Sequence, residues 1–409
     1  MKISKYAIRV PYTDDTTLLY SSLSHAVIEV PSSLIGVNGE IYEATEDEIA
    51  FLNNLKMLSS DDETQQMVEL LESRKQNDKK LNLWIYFTSN CNLNCSYCYE
   101  KSDLSSNYGQ SDMAFETIQH LVLWCKRYVE KNCIDEISIT LTGGEPFLYP
   151  QGLEYFMRLL DNHYLTKICK FTVITNGFVM TDETIRFIAN YCNTVQITLD
   201  GPEEIHNARR ITGNNEGTFK SIVRNIIKII SKTKITMIIR INVDSSNMNH
   251  IEKLIKTLDK YQLKKYVTIN FGDVVGEKIT EASVLKKIIS INDAFSDNGY
   301  RTVICETTPC PMSSSGWYAI ATNGDIYKCT GLIGNAEFAV GNVATDFHID
   351  KLEQQINIDS WKKCLDCEAV GICAGGCSYR DLLTKNENSR ICRKPYLLEV
   401  LNRQVKQLV

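Results

Sequence analysis

The stretch SNCNLNCSYCYE, residues 89–100, places cysteines at 91, 95 and 98 among small polar residues, with a tyrosine at 97. It follows directly on LNLWIYFT (81–88), an apolar run of strand length. Three thiols this close could form a disulfide, a zinc site, a redox dithiol or an iron–sulfur site. Closed structural zinc takes four protein ligands. A cubane iron–sulfur cluster normally takes four thiolates. A set of three therefore leaves one metal position open for a substrate. A C-x-x-C redox pair would use only Cys95 and Cys98 and give Cys91 no part. On the residues alone, iron–sulfur leads, with zinc and redox use still open.

Outward from this loop, the chain repeats one pattern to about residue 275. The strand-like runs are LNLWIYFT (81–88), EISITLT (136–142), KFTVIT (170–175), TVQITLD (194–200), KITMIIRINV (234–243) and YVTINFG (266–272). Amphipathic segments near 112–131, 151–160, 181–191, 217–232 and 247–260 lie between them. Strand–helix alternation predicts an α/β fold with a parallel sheet, either doubly wound or an incomplete barrel. The polar, glycine-bearing motifs SNCNLNC, TGGEP (142–146), TNG (175–177) and LDGPEEIH (199–206) each come just after a strand. Active sites of parallel α/β folds sit at that end of the strands, so four loops are expected to meet on one rim.

Net charge is −6 over 409 residues, so no overall basic field speaks for nucleic acid. The N-terminal sequence lacks an apolar core of signal-peptide length, and no apolar run approaches a membrane span. The expected location is cytoplasmic, with no membrane partner. In a reducing compartment, fifteen cysteines are not mainly structural disulfides. Cys125, Cys133, Cys169 and Cys192 stand alone in apolar segments and are expected to be buried thiols. The other eleven fall in groups at 91/95/98, 305/310/329 and 364/367/373/377/392, which points to metal.

Residues 1–80 hold no cysteine. KYAIRV, TTLLYS and HAVIEV read as short strands, helices follow near 45–57 and 61–76, and KQNDKK (75–80) reads as a linker. A helix is expected near 280–296. Beyond 300, WYAIATNGDIYKC (317–329) reads as a hairpin turning at Asn323-Gly324, and PYLLEVLNRQVKQL as a closing helix.

The motifs taken together resemble the radical SAM superfamily. CNLNCSYC matches the signature loop whose Cys91, Cys95 and Cys98 would hold a [4Fe–4S] cluster, with the fourth iron left for S-adenosylmethionine (SAM). TGGEP is similar to the family's GGE motif, so Gly143, Gly144 and Glu145 would meet the methionine amino group. By the same resemblance Thr175, Asn176 and Asp200 would face SAM, Arg210 would bind its carboxylate, and Tyr97 would lie near the adenine. The fold implied over 81–300 is a partial (β/α)6 TIM-type barrel. The chemistry implied is reductive cleavage of SAM to a 5′-deoxyadenosyl radical that abstracts hydrogen from a C–H bond.

Cys310, thirteen residues, Gly324, four residues, Cys329, then Cys364-x2-Cys367-x5-Cys373-x3-Cys377 and Cys392, resembles a seven-cysteine SPASM domain, here spanning 301–409. The resemblance implies two auxiliary [4Fe–4S] clusters and three in all. Cys310, Cys329 and Cys377 would ligate the first, with Cys305 as its fourth ligand or as a free thiol beside an open iron. Cys364, Cys367, Cys373 and Cys392 would ligate the second. SPASM enzymes act mostly on peptides, so the expected function is maturation of a ribosomally made precursor peptide, with leader and core, through a C–C, C–O or thioether crosslink. A flavodoxin or ferredoxin-type donor would supply electrons. Eight auxiliary ligands lean toward C–C or C–O. Residues 1–80, a small α+β extension, would recognise the leader. An anaerobic sulfatase-maturating enzyme is the second reading, although Thr330 stands after Cys329 where those enzymes typically have Asp. A small-molecule dehydrogenase is the third. The residues leave the general base or proton donor unassigned.

Overall fold

A computed structural model describes residues 1–75, 79–98, 111–274, 282–303, 310–379, 392 and 394–406. The elements in chain order are β1 (Ala7–Pro11), β2 (Thr16–Ser21), β3 (Val27–Pro31), α1 (Glu46–Asn54), α2 (Glu63–Ser73), β4 (Lys80–Thr88), α3 (Phe115–Asn132), β5 (Glu136–Gly143), α4 (Pro150–Asn162), β6 (Cys169–Thr175), α5 (Asp182–Tyr191), β7 (Thr194–Thr198), α6 (Glu203–Arg209), α7 (Phe219–Lys232), β8 (Thr236–Val243), α8 (Leu254–Lys260), β9 (Val267–Asp273), α9 (Ala282–Asp297), β10 (Arg301–Val303), β11 (Trp317–Ile320), β12 (Asp325–Tyr327), β13 (Gly341–Asn342), β14 (Asp346–Phe347), α10 (Ile349–Ile356), α11 (Val370–Cys373) and α12 (Lys394–Lys406). The contacts group them into two compact units, neither contiguous in sequence. One is Asn77–Glu306 with Gly316–Gln355, and the other is Met1–Gln76 with Thr307–Ser315 and Ile356–Val409.

In the first of these units, β4 to β9 lie side by side in chain order, all parallel. Strand order never reverses, so the sheet has no topological switch point and is an incomplete barrel rather than a doubly wound sheet. Register lines up one apolar row across it: Ile320, Ile85, Leu141, Val173, Val195, Met237 and Val267. All seven are buried. Helices cover the outside; α7 buries Phe219, Ile222, Val223, Ile226 and Ile229, the spacing of one helical face. The stretch 247–260 starts later than its pattern suggests, as a 3-10 turn from Ile251 running into α8.

The sheet also reaches past the expected barrel boundary at 300. β10 pairs parallel with β9, and β11 pairs parallel with β4 and carries β12 to β14 on its far side. The cause is edge cover: β4 would otherwise expose its backbone, and the apolar WYAI strand closes it. One isolated cysteine departs from expectation. Cys125 and Cys192 are buried and Cys169 partly so, but Cys133 is exposed. It ends α3 at φ +50°, a left-handed position that directs it outward rather than into the core.

In the other unit β1, β2 and β3 form an antiparallel sheet. One face, with Ala7, Leu19 and Val30, packs on Leu52, Met57 and Leu58. The opposite face, with Ile8, Val10, Leu18 and Tyr20, packs on Ala369, Ile372, Leu401 and Val405. Residues 1–80 thus close one core of their own and share a second with the C-terminal segment. Both faces of the small sheet are apolar, and the C-terminal segment covers the second. A capping box at Thr45 and Glu48 starts α1.

Ile226 is fully buried on α7. Ile226→Ala is expected to lower the barrel's unfolding free energy by about 2–5 kcal/mol, read from denaturant midpoints.

Candidate active site

The cysteine loop begins where β4 breaks register with β5, between Tyr86 and Thr88. Its base is backbone on backbone. Gly144 N–H donates to Thr88 O at 2.8 Å, and Glu145 N–H donates to Asn90 O at 2.8 Å. A Cβ on Gly144 would stand 2.2 Å from Asn90 O, and one on Gly143, already at φ +127°, 2.3 Å from Thr88 O. The glycine pair is therefore set by close approach. The Gly144 and Glu145 amide hydrogens are turned to Thr88 and Asn90 at the base of the cysteine loop. The far side of that loop is tied to the segment after α6: Asn94 N–H donates to Ile211 O at 2.6 Å and Ser96 N–H to Arg209 O at 2.9 Å.

Burial pushes the Cys91 thiol up to about 11, with the Glu145 carboxylate and the Cys95 and Cys98 sulfurs adding to the rise. Glu145 is 3% exposed. Its carboxylate accepts from Thr175 Oγ1 at 2.8 Å and from Asn176 N–H at 2.7 Å. Burial raises its pKa above the ordinary carboxylate value, against those bonds. Asn176 Nδ2 donates to Asn92 Oδ1 at 2.7 Å and lies 3.8 Å from Cys91 Sγ. Thr175 and Asn176 thus hold Glu145 and the cysteine loop from behind. A cavity of about 290 Å³ opens beside Asn92 and Glu145, walled by Phe147, Leu153, Val179 and Phe187.

Asp200 is fully buried. Its carboxylate accepts from Asn242 N–H at 3.0 Å and from the Tyr97 hydroxyl. Arg210 Nη1 donates to the Tyr97 oxygen at 2.7 Å, and the Arg209 guanidinium lies 4.6 Å from the Tyr97 ring centre. The hydroxyl of Tyr97 is thus held by protein groups of the rim. Behind them runs a relay of donors. Asp200 N–H donates to His206 Nδ1 at 3.3 Å, so Nε2 carries the proton and donates to Thr218 Oγ1 at 3.0 Å. Thr218 Oγ1 in turn donates to Arg210 O at 2.8 Å. Burial, with Arg210 and Arg209 nearby, holds His206 well below the usual histidine value. Arg209 pairs with Asp244 at 2.5 Å and lies 3.5 Å from Asp200.

Arg209, Asn242, Asp244 and Thr218 escape the sequence reading, and His206 enters it only as a spacing mark. One signal was available: a histidine and two arginines inside eight residues at a strand end.

Cys364, Cys367, Cys373 and Cys392 belong to one unit. Burial raises the Cys373 thiol, and the nearby Cys364, Cys392 and Cys367 sulfurs raise it further. Cys310 and Cys377 fall in that unit and Cys329 in the other, while Cys305 lies outside the described residues. Among the described residues no three His, Cys, Asp or Glu side chains are gathered around a single ion. A cubane spreads its thiolates around a cage, and three mutually influencing thiols on the first loop fit that donor set. A buried carboxylate at Glu145 and a buried Arg210 Nε without a hydrogen-bond partner among the described residues fit the amino and carboxylate ends of SAM.

The site so far is an incomplete parallel barrel with a three-thiol loop at its strand ends. Residues 85–258 match the family model of the radical SAM superfamily. Those residues carry a radical SAM domain, which implies one [4Fe–4S] cluster and SAM. The chain is 28% identical over 186 residues to a cysteine-type anaerobic sulfatase-maturating enzyme of Clostridium novyi, covering 43% of this chain but only 47% of that relative. The counterpart from Clostridium perfringens strain 13 is 24% identical over 329 residues, covering 71% of this chain and 86% of the relative. The structure of Streptococcus suis SuiB bound to precursor peptide SuiA superposes with TM-score 0.56 at 15% identity, over 94% of this chain and 97% of SuiB.

Two outcomes are expected. Gly144→Ala separates the two loops and should abolish iron binding at Cys91, Cys95 and Cys98, read as iron per chain. His206 stays neutral when folded, so its stabilisation is full above about pH 6.5 and is lost as pH falls below that value. The wild type should lose up to about 1.4 kcal/mol per pH unit there, and His206→Asn should lose that slope in pH-dependent unfolding.

Proposed function

We propose that the chain is a cytoplasmic radical SAM maturase that crosslinks a ribosomally made precursor peptide, using three [4Fe–4S] clusters and an electron donor of flavodoxin or ferredoxin type. The observation that carries this reading is the N-terminal sheet. Among the described residues β1 is an edge strand, paired with β2 alone. Alternate residues of an antiparallel edge turn their N–H and C=O groups away from the neighbouring strand. Beside β1 lies a cleft of about 600 Å³ lined by Ile8, Arg9, Val10, Val37, Leu398 and Glu399. A bare edge over a half-apolar cleft suits an extended leader segment that adds as a fourth strand. The likeness to peptide-bound SuiB, over nearly the whole chain, also supports it.

When bound, the cluster and SAM supply a radical able to take hydrogen from an unactivated C–H bond. The chain's residues position it. Cys91, Cys95 and Cys98 would hold the cluster of the barrel. Glu145 and Arg210 meet the SAM amino and carboxylate groups. Thr175, Asn176, Asp200 and Tyr97 fix those two side chains and the loop. Cys305, Cys310, Cys329 and Cys377, and Cys364, Cys367, Cys373 and Cys392, would hold the auxiliary clusters, whose chemistry would be that of an electron acceptor.

A second reading, formylglycine formation on a sulfatase, is favoured by the Clostridium relatives, and Thr330 in the place of Asp speaks against it. The anaerobically reconstituted chain should hold about 12 iron atoms, four per cubane. With SAM, reductant and a leader-bearing precursor, it should release 5′-deoxyadenosine and a peptide lighter by two hydrogens. An aldehyde on a Cys or Ser of a sulfatase peptide, with no change in the precursor, would move the assignment to the second reading. Zinc in place of iron would end both.

A further inference from the structure

Three side chains of the N-terminal segment each donate to a main-chain carbonyl of the turn between Cys364 and Cys373. Tyr6 Oη donates to Leu365 O at 2.6 Å, Ser22 Oγ to Glu368 O at 2.8 Å, and Arg74 Nη1 to Gly371 O at 2.5 Å. Tyr6 and Ser22 are fully buried. Arg74 is itself held by His25 Nε2 at 2.9 Å, and His25 Nδ1 by the Tyr20 hydroxyl at 2.5 Å. The turn lies directly on the chain after β2: a Cβ on Gly371 would stand 2.1 Å from Ser22 O. Beneath it Val370 packs with Tyr6, Met67, Leu71 and Trp361. An ion pair, Lys394 to Glu368 at 2.9 Å, ties the turn to the start of the helix that follows Cys392.

We propose that the N-terminal segment is the scaffold of the second auxiliary cluster, with Tyr6, Ser22 and Arg74 as positioning residues for its ligand turn. A carbonyl pinned by a donor fixes its peptide plane, and the planes at 365, 368 and 371 set where the sulfurs of Cys364, Cys367 and Cys373 point. This is an orienting shell of the kind that metal ligands need, supplied from a part of the chain about 300 residues away in sequence. The N-terminal sheet then carries two duties, a peptide-facing edge on β1 and a cluster-facing side. The inference rests on the reading that Cys364, Cys367, Cys373 and Cys392 hold a cluster.

The test uses the full chain, reconstituted anaerobically, in three forms: wild type, Tyr6→Phe with Ser22→Ala, and Cys367→Ala. Iron per chain, the paramagnetic resonance of the reduced protein and the unfolding temperature are read together. The signal that changes on adding SAM reports the barrel's own cluster and serves as an internal control. Expected is loss of about one third of the iron, four atoms of about 12, in both variants, with the SAM-responsive signal kept. Full iron and an unchanged spectrum in the Tyr6/Ser22 variant, while Cys367→Ala loses its third, would overturn the scaffold role alone. Loss of the SAM-responsive signal with a lowered unfolding temperature would show general collapse and overturn it too. Cys367→Ala that keeps all its iron would remove the cluster reading on which the inference rests.

Discussion

The candidate site depends on one contact, the backbone of the turn after β5 lying against the backbone of the turn after β4. Two N–H···O bonds, Gly144 to Thr88 and Glu145 to Asn90, set the distance between the thiol loop and the carboxylate. Side chains at 143 and 144 would force the turns apart. Everything polar nearby is arranged with respect to that contact: Thr175 and Asn176 brace Glu145, and Asn176 reaches back to Asn92 beside Cys91. A loop held in this way by main-chain bonds has the fixed geometry that a preorganised polar site requires.

A second layer balances charge where water is excluded. Arg209 and Arg210 face Asp200 and Asp244, all under 8% exposed. Removing one member of a buried ion set leaves an uncompensated charge, so these residues act as a group. His206 contributes as a neutral donor–acceptor, linking the Asp200 amide to the Arg210 carbonyl through Thr218. One end of that relay is at the strand terminus and the other at the arginine, so strand and arginine hold a common orientation.

Much of this could be read from the amino acids. The alternation from 81 to 275 marked six strands because both faces of a parallel strand are apolar, and the motifs at 91–98, 143–145, 175–176 and 200–210 all reach the same rim. Local patterns could not show partners distant in sequence. KYAIRV and TTLLYS read as strands, but nothing in them says that their second face is covered by residues 369–405. WYAI reads as half of a hairpin, and that its other side closes β4 is a tertiary fact. Thr175, Asn176 and Asp200 are expected to face SAM and Tyr97 to lie near the adenine; the contacts with Glu145, Asn92 and Asp200 that the structure adds are between residues far apart in sequence, which no local pattern shows.

The discontinuous small unit has a consequence for synthesis on the ribosome. Its sheet is made first, yet the residues that cover Ile8, Val10, Leu18 and Tyr20 are made last. Until some 300 further residues have emerged, one side of that sheet is bare apolar surface on a nascent chain. In sequence, the barrel is an insertion between parts of that small unit. Segments so far apart in sequence that must pack together leave that sheet face open to wrong partners until the later one is made.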